Sequence, residues 1–280
     1  VSGYPYGYKF WGSPDNKPKG SYDTWWPYEQ TAYWIDGALK CAYLVGDDDL
    51  YRQALDEIDS AIAAAAPDGF IGPEMLRTRD RWPYAVFFRA VLAQYEISGD
   101  AHYLDALIRH YRSTPNPMGW DRDVSAVEIL LLLYQETGQA DLLEMAETLY
   151  ARFNQMWPDH DCAIGTLGSE KKQSSHGVTF NEEAKLPALL FCATGDLEIL
   201  RAVIHSYEKL DRHALLADGL HSCSEEIRGK DARHMHETCD ITDHTWALAY
   251  LLQATGQARY ADRIERVIFN ALPGAITKDF

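Results

Sequence analysis

The chain has 280 residues and a formal net charge of −16, from 26 Lys and Arg against 42 Asp and Glu. That balance excludes nucleic acid and anionic membrane surfaces as partners, because both demand basic patches, and no apolar run approaches the roughly 20 residues of a membrane span. The five cysteines, at 41, 162, 192, 223 and 239, are odd in number and lack a CxxC pair, so they form no disulfide framework and are expected as mostly buried free thiols.

Residues 1–21, rich in Gly, Pro and Tyr, read as an irregular N-terminal arm. The first helix lies in "TWWPYEQTAYWIDGALKCAYL", with Pro27 just inside its start. Trp34, Ala38 and Cys41 form one apolar stripe, and Glu29, Tyr33, Asp36 and Lys40 form a face that is polar yet aromatic. Such a face suits a sugar cavity, the competing reading being a solvated surface. Trp25, Trp26 and Trp82 are expected as its apolar walls, because flat rings stack on the C–H faces of sugars.

A loose repeat then runs along the chain: "AYLVGDDDLYRQAL", "YEISGDAHYLDAL", "YQETGQADLLEMA", "FCATGDLEILRAV" and "LLQATGQARYADRI". Each segment closes a helical pattern, turns at a glycine (46, 99, 138, 195, 256) and opens another helix. The glycines stand about 40 to 60 residues apart, the length of two helices and a loop, which predicts stacked helical hairpins. Five hairpins and flanking pieces approach the six of an (α/α)6 toroid. The expected fold class is therefore all-α, an (α/α)6 barrel occupying residues 1–280 as a single helical domain. No alternating strand pattern of useful length and no dividing linker interrupts it.

The polar chemistry concentrates in the second half. "SSHGVTFNEEAKLPALL" presents His176 at the neck of a helix, and "DGLHSCSEEIRG" offers His221, Glu225 and Glu226. The segment "HMHETCDITDHTWALAYLL" then gathers His234, His236, Glu237, Cys239, Asp240 and Asp243 before an amphipathic run containing Trp246 and Tyr250. Asp240 is the expected N-cap, with Asp243 imitating a capping box. Glu237 and Cys239 would then project side by side from an extended entry segment. There the positive end of the helix favours thiolate. Thiolate is what both metals and nucleophilic chemistry require. Glu225 or Glu226 could donate a proton to a leaving group.

Together, "WWPYEQTAYWIDGAL", "RWPYAVFFRA", "SSHGVTFNEEAKLPALL", "HSCSEE", "HETCDITDHTWALAYLL" and "YADRIERVIFNALPGAIT" resemble glycoside hydrolase family 127, the β-L-arabinofuranosidases formerly grouped as DUF1680. The match covers nearly the whole chain, and its most specific part is the Glu-Thr-Cys triplet with the helix that follows. The resemblance implies an (α/α)6 barrel followed by β-sandwich domains, which are expected to be absent from this chain. It also implies a retaining, exo-acting enzyme whose nucleophile is a zinc-held cysteine thiolate. It places Glu237 and Cys239 as zinc ligands and Glu225 as the acid/base, with Glu226 the near alternative. No residue of this chain matches the nucleophile, and Pro187 stands where the family tends to carry a histidine.

The expected activity is hydrolysis of terminal furanosides such as β-L-arabinofuranose, with zinc as cofactor and a carbohydrate as partner. Glu29, Tyr33, Asp36, Trp26, Trp82, His176, His221 and His236 are the expected substrate contacts. A non-catalytic glycan-binding module, an epimerase or an unsaturated uronyl hydrolase are the alternatives on the same barrel. A homodimer, and either a cytoplasmic or a periplasmic setting, are compatible with the sequence.

Overall fold

The computed structural model describes residues 10–12, 25–78, 80–114, 118–231 and 233–276, and the expected arm falls outside it except for residues 10–12. Among the described residues no helix is long and apolar enough to cross a membrane. The helices are α1 Trp26–Val45, α2 Asp48–Ala63, α3 Trp82–Ser98, α4 His102–Ser113, α5 Ala126–Thr137, α6 Ala140–Met156, α7 Ile164–Leu167, α8 Gly177–Ala184, α9 Leu186–Thr194, α10 Leu197–Ala214, α11 Thr238–Thr255 and α12 Ala258–Gly274. Extended backbone pairs only as isolated bridges among the described residues. The five repeat glycines all adopt φ between 65° and 76° and end α1, α3, α5, α9 and α11. That left-handed conformation carries no steric cost without a Cβ, which explains the recurring glycine.

The chain divides into two compact units, Val1–Leu142 and Leu143–Phe280. In the first, α3 is buried continuously from Trp82 to Gln94, the signature of a helix enclosed on all sides. Against it α1 turns Tyr28, Ala32, Ile35, Leu39 and Ala42. The expected stripe of Trp34, Ala38 and Cys41 is thus corrected: Cys41 is exposed and Trp34 and Ala38 are half-buried. Both stripes have helical spacing, and packing against α2 and α3 selects the aliphatic one. Trp11 completes this core, stacked on Phe87 at 4.2 Å and donating its indole N–H to Thr31 Oγ1 at 2.9 Å.

Two expected cavity residues belong to this core instead. Trp82 is completely buried and donates its indole N–H to Glu29 Oε1 at 2.5 Å, while the Arg122 guanidinium lies 3.7 Å above its ring. Glu29 is buried as well, and a buried carboxylate needs such donors to offset its lost hydration. Trp82 is therefore a packing and hydrogen-bonding residue, not an open apolar wall.

In the second unit α11 packs against α8, α9 and α12, and α10 against α7 and α9. Leu220, Ile241, Val267 and Ala271 form a small core cluster under the loop that precedes α11. That cluster fixes the entry of α11, where the polar chemistry lies.

Replacing Trp82 with Phe removes the donor to Glu29 and should cost about 1–3 kcal/mol of unfolding free energy. Urea titration checks this, and a change below about 0.5 kcal/mol, the level of ordinary surface substitutions, would contradict the assigned role.

Candidate active site

Three segments of the second unit meet edge to edge: 175–177, 221–227 and 235–240. The Cys223 amide donates to the Met235 carbonyl at 3.1 Å, and the Glu237 amide donates to the Cys223 carbonyl at 2.6 Å. On the other side, the Gly177 amide donates to the Glu225 carbonyl and the Ile227 amide to the Ser175 carbonyl, each at 2.9 Å. The loop "HSCSEE" is thereby sewn between the neck of α8 and the entry of α11. Gly177 permits the approach, because a Cβ there would stand 2.3 Å from Cys223 Sγ and 3.0 Å from Asp240 Oδ1.

This stitching brings His176, Glu225 and Glu237 together. His176 caps α8, its Nδ1 accepting from the Thr179 amide at 3.3 Å. Its Nε2 lies 3.1 Å from Glu237 Oε2 and 3.4 Å from Glu225 Oε2. Each of the three offers a ligand atom within 4.8 Å of the others, a nitrogen and oxygen set that a divalent cation accepts. Glu225 is largely exposed, whereas His176 and Glu237 are half-buried. Glu226 faces elsewhere and pairs with Arg228 at 3.4 Å.

The helix start differs from expectation. Glu237, in extended conformation, is the N-cap of α11, and Cys239 already lies in the first turn, as does Asp240. Asp240 cannot cap because it is fully buried and committed elsewhere: Asn181 donates to its Oδ1 at 2.7 Å, and His221 Nε2 lies 3.0 Å from its Oδ2. Cys239 remains close enough to Glu237 for that carboxylate to act on its ionisation. Although the residue is exposed at the surface, the thiol is nonetheless pushed up to about 11, first by partial desolvation and then by the charges of Glu237 and Asp243. These outweigh the helix end, so the thiolate expected from position alone is corrected to a thiol. Cys223 is pushed up to about 12, by burial first and Asp240 next.

The other expected contacts are placed as follows. His221 is buried against Asp240 rather than open to a ligand. His236 lies 2.6 Å from Asp218 Oδ2 and 3.1 Å from the His221 carbonyl. In the first unit Trp26 and Tyr33 are exposed, and Asp36 pairs with Lys40 at 2.6 Å.

Residues the sequence did not single out support this centre. Asn181 donates to Asp240, while its Oδ1 accepts from the Tyr207 hydroxyl at 3.0 Å and lies 3.2 Å from His244 Nδ1. His244 is buried, which pushes its ionisation well below the usual histidine range and keeps the imidazole neutral. The only signal for Asn181 was its place four residues after Gly177 on one helix face.

The all-α arrangement is that of the (α/α)-barrel class. A solved GH127 β-arabinofuranosidase superposes with a TM-score of 0.75 at 17% identity, covering 96% of this chain and 48% of that one. A GH127 β-L-arabinofuranosidase from Geobacillus stearothermophilus T6 gives 0.71 at 16% identity, covering 94% and 49%. A sugar epimerase from a ruminal bacterium gives 0.60 at 13%, covering 90% and 76%. No curated protein matches the chain. The family described as "Beta-L-arabinofuranosidase, GH127 catalytic domain" matches residues 21–280, and the chain belongs to that family. It spans about half the length of the two solved arabinofuranosidases it resembles.

Gly177→Ala should lower stability by about 1–3 kcal/mol, the usual cost of forcing a methyl into a filled space. Thermal unfolding at neutral pH checks it. An unchanged midpoint would show that the three segments are not held this closely.

Proposed function

We propose that this chain is the helical part of a retaining, exo-acting glycosidase that removes terminal furanosides such as β-L-arabinofuranose. The observation that carries the reading is the His176–Glu225–Glu237 cluster at the entry of α11 in a chain of this family.

Glu225 is the proton donor in this reading. Its side chain is 77% exposed, so it can meet a glycosidic oxygen, and its backbone is fixed by Gly177. As a cysteine thiolate, which matches none of this chain's cysteines by position, attacks the anomeric carbon and the glycosidic bond breaks, Glu225 delivers its proton to the departing oxygen; it then withdraws a proton from the water that displaces the thiolate and releases the sugar. His176 stands between the two carboxylates and orients both.

Glu237 and Cys239 are the proposed zinc ligands, with His176 and Glu225 within reach of the same carboxylate. The donor set fits: imidazole, carboxylate and thiol are what zinc accepts, and a cation would offset the desolvation and the acidic charges that raise the Cys239 thiol. When bound, zinc supplies a stabilised thiolate at neutral pH, the nucleophile type this chemistry uses.

The test is hydrolysis of methyl and 4-nitrophenyl β-L-arabinofuranosides by the full-length protein and its Glu225→Gln variant. A proton donor matters most for a poor leaving group. The variant should therefore lose about 10²–10⁴-fold in kcat/KM on the methyl glycoside, the usual worth of general acid catalysis, and far less in the cleavage step for the nitrophenyl one. Equal losses on both would contradict the role, and an isomerised sugar without hydrolysis would favour the epimerase alternative.

A further inference from the structure

We infer that His160, Cys162 and Glu183 form a second metal site, separate from the candidate active site, that holds a borderline divalent cation such as zinc. Their ligand atoms lie within 4.8 Å of one another; Cys162 and Glu183 are buried and His160 is partly so. Two come from the turn after α6 and the third from α8. An imidazole, a thiol and a carboxylate are three of the four donors of a tetrahedral site.

The distances fit a metal. The Cys162 amide donates to His160 Nδ1 at 3.2 Å, a long contact to the ring nitrogen's lone pair that a metal would replace. Glu183 Oε2 lies 3.4 Å from that same Nδ1. Nitrogen and oxygen donors bonded at about 2.0–2.1 Å to a tetrahedral zinc stand about 3.3 Å apart, which matches the observed separation. The Cys162 thiol donates to the Phe180 carbonyl at 3.5 Å, a long contact that would be given up as its proton passes to solvent on metal binding. The buried Tyr150 phenol adjoins the cluster, its ionisation raised by burial first and by Cys162 and Glu183 among the further causes.

The site would serve as a clip. Helix α8 opens after His176 and carries Glu183 seven residues on, about 10 Å along the axis at 1.5 Å per residue. Fastening that far end to the turn at 160–162 holds the helix whose cap presents His176.

The test uses the full-length protein carrying Glu237→Gln and Cys239→Ser, which removes the candidate active-site ligands and keeps the two sites distinguishable. Loaded with Co²⁺, it should hold one equivalent and show the near-ultraviolet thiolate-to-cobalt absorption. Adding Cys162→Ser should abolish both. Adding His160→Gln, at a partly exposed position that should fold even if the cysteine variant does not, should weaken cobalt binding at least tenfold, with circular dichroism confirming the fold. No stoichiometric cobalt in the parent variant, or cobalt unaffected by His160→Gln, would overturn the inference and leave a proton shared between His160 and Glu183 as the explanation.

Discussion

The chemistry of the second unit hangs on one short piece of backbone pairing. Cys223 donates to Met235 and accepts from Glu237, while two residues later the carbonyl of Glu225 accepts from Gly177. Few hydrogen bonds are involved, and each is of ordinary strength. Their effect is positional: they fix the backbone at Glu225 and Glu237 beside the histidine that caps α8. Without them, "HSCSEE" would be a solvated loop and its acids would be spread over the surface.

A buried layer beneath this pairing gives it stiffness. Asp240, Asn181, His244, Tyr207 and His221 bond or pack against one another in the interior. A buried carboxylate survives only where donors surround it, and Asn181 supplies a neutral one. The layer also decides where α11 begins. Asp240 is taken by Asn181, so the helix starts earlier and Cys239 enters its first turn. Partial desolvation first, and then the charges of Glu237 and Asp243, raise the ionisation of the Cys239 thiol.

Much of the fold was legible because it follows local rules. Each repeat glycine sits where a left-handed residue is needed, and "VEILLLLY" forms the largely buried α5. The family was legible from motif order along the chain. Which face of α1 would pack was not, since two stripes obeyed the same periodicity and packing against α2 and α3 chose between them. Burial was also hard to read for single polar-rimmed residues. Trp82 and His221 carry the chemistry of ligand contacts yet serve the interior, and of the five cysteines only Cys162 and Cys223 are buried. For the site itself, Glu237 and Glu225 stood out by type, but their meeting with His176 depends on pairing between segments about 50 residues apart, which periodicity does not encode. His160, Cys162 and Glu183 went unnoticed for the same reason.

The most direct measurement is native-state hydrogen exchange at the amides of Gly177, Cys223 and Glu237, resolved by NMR or by fragmentation mass spectrometry. If the three-segment pairing organises the site, these amides exchange only through large openings, with protection close to that of the α11 interior around Ala247 and Leu251. Exchange at the rate of an open loop would contradict the account, because Glu225 and Glu237 would then have no fixed place beside His176.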